Sequence, residues 1–315
     1  MFNPHHQPKL PFHNRQFWQP RYWLTWLGFA CLWCWLQLPL RGQLHLGHWI
    51  SRVLYRIGKR RRQITATNIR LCFPELSAEA QQQLVRQVFF ENTFGLLETA
   101  RTFWASHDQL QALRAKTRFD DLPQLEAALA QNKGVILIGA HYSTLDLGGV
   151  LFSLFADVTV LYRPHNNALF DVFLKQARHR WATDVFANSQ MKSIVRALRQ
   201  GKILWFPADQ DYGLQQSVMA PFFGIPAATI TTPARLAKLT HSPILVLGHH
   251  RLPDQQHYQL TLQTLTDPPI NNDIACATAI NTALEQQIRH FPAQYMWPHR
   301  RFKHQVDGRD FYWRG

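Results

Sequence analysis

The rhythm of apolar and polar positions changes several times along this chain. Between Arg21 and Arg41 runs YWLTWLGFACLWCWLQLPL, 19 residues without a charge. That is close to the roughly 20 apolar residues a helix needs to cross a bilayer. Tyr22 and Trp23 stand at one end, where aromatic side chains suit the headgroup level. A secretory signal peptide fits poorly, because the run is long, rich in Trp and followed by no small-residue cleavage site. A buried core helix is the alternative; the Arg residues on both flanks favour the membrane.

Further on, the period becomes that of a globular domain. Leu84, Val88, Phe89, Leu96 and Leu97 recur near helical spacing, which predicts one or two amphipathic helices over 78–104, with Ser77 as N-cap. A short helix follows over 121–131. The compact run VILIGAH (Val135–His141) predicts a buried strand. Helices over 143–155, 168–182, 190–200, 232–240 and 273–290 alternate with strands over Val158–Tyr162, Ile203–Ala208, Pro243–His249 and Tyr258–Leu265. That alternation predicts an α/β fold, a mainly parallel sheet flanked by helices. The chain then divides into a tail over 1–21, a transmembrane or membrane-anchoring helix over 22–40, a basic juxtamembrane segment over 41–74 and the α/β domain over 75–315.

Charge sharpens this division. The 315 residues hold 34 Lys and Arg against 20 Asp and Glu, a net charge of +14. Such a charge suits an anionic partner: nucleic acid, a membrane surface or a phosphorylated ligand. Eleven of the basic residues lie in 1–74, where no carboxylate precedes Glu75, and six of the 11 Trp lie there too. The remaining chain carries only +3 and no nucleic-acid motif, so nucleic acid is not the expected partner. Three Lys and Arg precede the apolar run, and seven follow it within 41–62. The positive-inside rule then places the downstream domain in the cytoplasm. Cations on both flanks leave a flat, interfacial anchor as a second arrangement. Lys59–Arg62 (KRRR) would meet anionic headgroups at about 1 kcal/mol per residue; the alternative is a solvated helix face. Four scattered cysteines make no disulfide framework, which fits a reducing compartment for most of the chain. Cys31 and Cys34 have CxxC spacing, but inside an apolar run with no second pair.

In open α/β sheets, ligands bind beyond the carboxyl ends of the strands. Polar residues follow three of these strands: His141-Tyr-Ser-Thr-Leu-Asp146, Arg163-Pro-His-Asn-Asn167 and Asp209-Gln-Asp211-Tyr-Gly213. A carboxylate from Asp146 reaching back to His141 would fix the imidazole tautomer, the histidine-orienting half of a catalytic triad. The attacking group would then be a substrate hydroxyl. Against this, Ser143-x-x-Asp146 also has the form of a helix capping box, and H-x4-D is a weak pattern. His141, Asp209 and Asp211 offer N and O donors for a metal. No second His stands at helical spacing from His141, so no metal is expected. Arg300 and Arg301, within HRRFKH, suit bidentate phosphate binding; a solvated basic run is the alternative.

Six blocks carry a resemblance: PRYWLTWLG (Pro20–Gly28), NIRLCFPELS (Asn68–Ser77), His141-x4-Asp146, YRPHNN (Tyr162–Asn167), DQDYG (Asp209–Gly213) and QYMWPHRRFK (Gln294–Lys303). In this order they closely resemble the late acyltransferases of lipid A biosynthesis in Gram-negative bacteria, over about residues 20–304. PRYWLTWLG looks most like the member that adds laurate to Kdo2-lipid IVA, and a palmitoleoyl-transferring relative looks similar there. The resemblance implies a glycerolipid-acyltransferase-like fold and no cofactor. It implies acyl carrier protein as thioester donor, Kdo2-lipid IVA as acceptor through a hydroxyacyl chain, and anionic lipids of the inner membrane around the anchor. His141 would be the base and Asp146 its acidic partner, where close relatives often carry Glu. Arg178 and Asp209 match residues the family needs, Asp209 as the partner of a cation. Arg178 or a backbone N–H near Ser143 would stabilise the oxyanion. Arg163, Asp211, Arg300 and Arg301 would contact the phosphorylated acceptor. The His-rich start (His5, His6, His13) and the chain beyond His304 have no counterpart. A lysophospholipid or glycerol-phosphate acyltransferase is the alternative enzyme. A membrane-docked binding protein with a dead site is the alternative class, and the intact His141/Asp146 pair speaks against it.

Overall fold

A computed structural model describes residues 14–312. The first thirteen residues of the tail, with His5, His6 and His13, lie outside the described residues.

After two short 3₁₀ turns the chain forms helices α1 (Trp23–Leu36), α2 (Leu40–Ile57), α3 (Lys59–Cys72), α4 (Ala78–Trp104) and α5 (His107–Gln111). The alternating part follows: β1 (Thr117–Phe119), α6 (Leu122–Leu129), β2 (Val135–Gly139), α7 (Leu145–Ser153), β3 (Val158–Tyr162), α8 (Ala168–His179), β4 (Asp184–Ala187), α9 (Met191–Arg199) and β5 (Ile203–Pro207). A hairpin of β6 (Ser217–Phe222) and β7 (Ile225–Ile230) leads into α10 (Thr232–Thr240), β8 (Ile244–Arg251), β9 (Tyr258–Thr264) and α11 (Asp273–His290). Seven strands make one sheet in the order β1-β9-β8-β2-β5-β3-β4, in which β8, β2, β5, β3 and β4 run parallel. β9 runs antiparallel to β8, and β1 follows β9.

Period-2 alternation decides which side each strand residue faces. Ile136 and Ile138 of β2 join Leu204 and Phe206 of β5 on the face covered by α9, α10 and α11. Val135 and Leu137 join Ile203, Leu245 and Leu247 on the face covered by α6 and α7. With both faces buried, these strands read as unbroken apolar runs, as the sequence shows.

The predicted helix over 78–104 is one unbroken element, α4. Ser77 caps it, accepting from the Ala80 N–H at 3.2 Å. Four strands and three helices lie where none were predicted. β1 and β4 are edge strands of three and four residues. The β6–β7 hairpin pairs Pro221 with Pro226, and proline suppresses the strand signal. Its turn places Phe223 and Gly224 at positive φ, 51° and 75°. α2 and α3 form over the basic segment 41–74, and α5 is a single short helix.

The membrane-spanning helix is a correction. No helix among the described residues is long and apolar enough to cross a membrane. α1 has 14 residues, a rise of about 21 Å, against a hydrocarbon core of about 30 Å. Pro39 accounts for the stop. The residue before a proline is disfavoured in the helical region, so the chain turns at Gln37–Leu38, and α2 starts with Pro39 as its N-cap. One side of α1 is also occupied by protein: Phe29 and Trp26 pack against Phe173 of α8, and Phe29 against Phe103 of α4.

Candidate active site

Sheet register builds the site. In the β2–β5 pair, Gly139 lies opposite Pro207. Two residues beyond that pair, the two strands deliver His141 and Asp209 side by side. The His141 N–H donates to Asp209 Oδ2 at 2.9 Å, and its ring Nδ1–H donates to Oδ1 at 2.7 Å. Asp209 is 1% exposed. Burial alone would raise its pKa. The His141 charge and two hydrogen bonds, helped by Arg301, outweigh burial and hold the carboxyl down at about 2. An ionised carboxylate only accepts, so Nδ1 carries a proton, and in the neutral ring it is Nε2 that presents the lone pair.

The predicted His141–Asp146 pair is therefore corrected. Asp146 sits in the first turn of α7 and accepts from Arg178 Nε at 3.0 Å and Nη2 at 2.9 Å. Arg178 comes from the last turn of α8. Both side chains are mostly buried, at 12% and 15% exposure. Asp209, expected to orient a cation, orients the histidine; Asp146, expected to orient the histidine, orients the cation. Both pairs carry hydrogen bonds, so the assignment rests on geometry. Neither Ser143 nor Asp146 makes the capping-box bonds, for α7 has no side-chain cap.

The loop that carries His141 is fixed from outside. Met296 N–H donates to the His141 carbonyl, and Ser143 N–H donates to the Gln294 carbonyl at 2.7 Å. This second bond removes the Ser143 N–H as an oxyanion donor. α4 crosses directly over the loop at Gly95, where a Cβ would come within 2.3 Å of the Ser143 carbonyl oxygen. Beneath the loop, Thr144 Oγ bonds His249 Nδ1 at 2.8 Å. Burial, then the His141 charge, depress His249 to about 3, so it is neutral at physiological pH. Behind Asp146 and Arg178 lies a narrow apolar slot lined by Phe152, Val160, Trp181, Trp205 and Leu247, with a cavity of about 20 Å³.

The residues predicted to bind substrate separate. Arg163 follows β3, is exposed and lies near Tyr212 at the same edge of the sheet. The other three make contacts within the protein; those of Arg301 and Asp211 are buried, which corrects the expectation for these two, and the Arg300 side chain is 29% exposed. Arg301 is 1% exposed and donates to the Ala228 carbonyl at 2.6 Å and Thr229 Oγ at 2.8 Å. Arg300 pairs with Asp310 at 3.0 Å and lies over the Tyr312 ring. Asp211 accepts from the His304 N–H at 2.9 Å and its Nδ1 at 2.7 Å, which ties down the segment after α11. Sequence reasoning missed this second His–Asp pair, because His304 was read only as part of a basic run.

No cysteine is placed to act as a nucleophile. Burial, then Glu285, raise Cys72 well above its usual pKa, and burial, then Asp273, raise Cys276 to about 11. Cys31 and Cys34 lie exposed on α1. Among the described residues no three His, Cys, Asp or Glu side chains converge as a metal site.

A histidine base backed by a buried carboxylate, at the carboxyl edge of a mostly parallel sheet, suits transfer of an acyl group to a hydroxyl. The comparisons make the class definite. The sequence profile described as "Bacterial lipid A biosynthesis acyltransferase" matches residues 11–304, and the chain belongs to that family. It is an O-acyltransferase. It is 35% identical to the lipid A biosynthesis palmitoleoyltransferase of Escherichia coli K12, over 92% of this chain and 94% of that protein. It is 33% identical to the lauroyltransferase of the same organism, over 95% and 97%. To that organism's myristoyltransferase it is 25% identical, over 91% and 89%.

Proposed function

We propose that this enzyme transfers a fatty acyl chain, laurate, from acyl carrier protein to a hydroxyacyl chain of Kdo2-lipid IVA. The observation that carries the mechanism is the His141–Asp209 clamp, with Nε2 left as the basic nitrogen. His141 Nε2 takes the proton of the acceptor hydroxyl as its oxygen attacks the thioester carbonyl. The tetrahedral oxyanion collapses, the C–S bond breaks, and the leaving thiolate takes the proton back from His141. An ester and a free thiol result. Asp209 holds the ring in one tautomer and offsets the imidazolium charge. Arg178, steered by Asp146 through Nε and Nη2, retains Nη1–H bonds to donate to the oxyanion. Arg163 is the exposed cation at that edge for an acidic acceptor.

The N-terminal helices supply an interfacial anchor on the anionic face of the inner membrane, with the catalytic domain in the cytoplasm. Among the described residues, nine of the sixteen exposed large apolar side chains lie within 14–57, including Trp23, Leu24, Leu27, Trp33, Trp49 and Ile57. A patch of that kind marks a lipid- or protein-facing surface. On α2 it lies beside Arg52 and Arg56, the arrangement of an interfacial helix.

The test is mass spectrometry of lipid A from a strain in which this chain is the sole late acyltransferase. The reading predicts a gain equal to one lauroyl chain. Unchanged lipid A, with acylation of lysophosphatidic acid by the purified protein instead, would overturn it. A gain equal to another chain would correct the donor alone.

A further inference from the structure

One large cavity among the described residues stands apart from the His141 centre. A groove of about 870 Å³ runs between α2, α4 and the segment that follows α11. Small-molecule sites fall in the range of roughly 300–1,000 Å³. Two helix faces line it. His48, Ser51, Arg52, Tyr55 and Arg56 recur on α2, and Gln83, Arg86, Gln87 and Phe90 on α4, all at helical spacing. Faces that pack on one another are normally apolar; these carry arginines and amides into an open groove.

The charge is one-sided. Glu91 is the only carboxylate in the lining. It is bonded to the fully buried Arg251, which also pairs with Glu98 at 2.8 Å. Arg52, Arg56 and Arg86 have no carboxylate partner among the described residues. Three guanidinium groups around a concavity suit a ligand with phosphate groups. The Gln83 and Gln87 amides, each both donor and acceptor, suit sugar hydroxyls, and Tyr55, Phe90 and Phe291 give apolar walls.

Place narrows the ligand further. The exposed Trp49 and Ile57 stand within three residues of Arg52 and Arg56 on α2, so the rim lies beside exposed apolar side chains, as in an interfacial helix. The far wall is shared with the catalytic centre. Gln294 lines the groove and bonds the Arg251 main chain on both sides, and its carbonyl holds the Ser143 N–H. A convex acidic protein would not enter this concavity, whereas a lipid headgroup would.

We propose that this groove binds the phosphorylated saccharide headgroup of the acceptor lipid, apart from the His141 centre. This rests on the acyl-transfer reading above and replaces the phosphate-binding role expected of Arg301.

The test uses the full-length chain with Arg52→Gln, Arg56→Gln and Arg86→Gln together, all at exposed positions. The KM for Kdo2-lipid IVA should rise about tenfold or more, as expected on losing charged hydrogen bonds. kcat should stay within about threefold and the KM for acyl donor should not change. Flotation with phosphatidylcholine vesicles gives a readout independent of turnover. Wild-type protein should bind vesicles carrying Kdo2-lipid IVA better than vesicles carrying the same lipid lacking one phosphate, and the triple variant should lose that preference. On phosphatidylglycerol vesicles the triple variant should lose less than on acceptor vesicles, a partial loss because Arg52 and Arg56 also face anionic lipid, and inorganic phosphate at millimolar concentration should not displace wild type from the acceptor. Gln83→Ala with Gln87→Ala should weaken acceptor binding without changing phosphatidylglycerol binding. An unchanged acceptor KM, an equal loss on phosphatidylglycerol, or displacement by inorganic phosphate would each overturn the proposal. If wild type transfers no acyl chain to Kdo2-lipid IVA, the acyl-transfer reading falls, while flotation still decides the groove.

Discussion

Two histidine–aspartate clamps stand on one short segment, Asp209-Gln-Asp211, and they differ in consequence. In each, one carboxylate takes both the backbone N–H and the ring Nδ1–H of its histidine, with ring bonds of 2.7 Å. Asp209 holds His141 at the end of the central strand β2, in the loop that leads into α7, where Asp146 pairs with Arg178 of α8. Asp211 holds His304, whose side chain is 35% exposed, and fastens the segment after α11 to the domain. Local geometry alone therefore does not mark a base. What separates the clamps is position: one stands at the carboxyl edge of the parallel strands, and the other is a tie between a loop and a tail.

That difference can be broken or sharpened. The largest effect belongs to His141→Ala, which should lower kcat about 10²- to 10⁴-fold, the range for a general base, with unchanged circular dichroism. Arg178→Gln should come next, about 10²-fold in kcat, if it stabilises the oxyanion. His304→Ala should leave turnover within about threefold and lower stability by about 1–2 kcal/mol, read from urea unfolding; an effect on turnover as large as that of His141→Ala would erase the distinction between the clamps. An acid effect of similar size, on stability alone, closes the series. The Asp209 pKa is held at about 2, below its ordinary unfolded value of about 3.9. Its contribution is therefore complete above about pH 4 and is lost as pH falls toward 2. Wild type should lose about 2 kcal/mol over that window relative to Asp209→Asn, by unfolding at matched pH.

Much of this fold was legible in the sequence, for a physical reason. β2, β5 and β8 are buried on both faces, so each is an unbroken apolar run. α8, α10 and α11 begin within a residue of their predicted starts because their periods and caps are local signals. The β6–β7 hairpin was not legible, since its prolines and alanines carry no strand rhythm. The turn at Pro39 was hidden inside a long uncharged run. In the candidate site, His141 and Asp209 were both named, but not as hydrogen-bonded partners. Spacing along one loop favoured Asp146, whereas the true neighbour is set by β2 lying beside β5, a fact of strand order that no local window contains. Arg301 misled for a related reason. A basic run looks solvated until the hairpin and the tail close over it, with Arg301 buried against Ala228 and Thr229.

The pairing is the centre of this account, and one comparison tests it most directly: kcat for acyl transfer by Asp209→Asn beside Asp146→Asn, both shown to be folded. If Asp209 orients the base, Asp209→Asn loses about 10²-fold or more, while Asp146→Asn, which only frees Arg178, loses about tenfold. The reverse order, with Asp209→Asn near wild type and Asp146→Asn inactive, would contradict it.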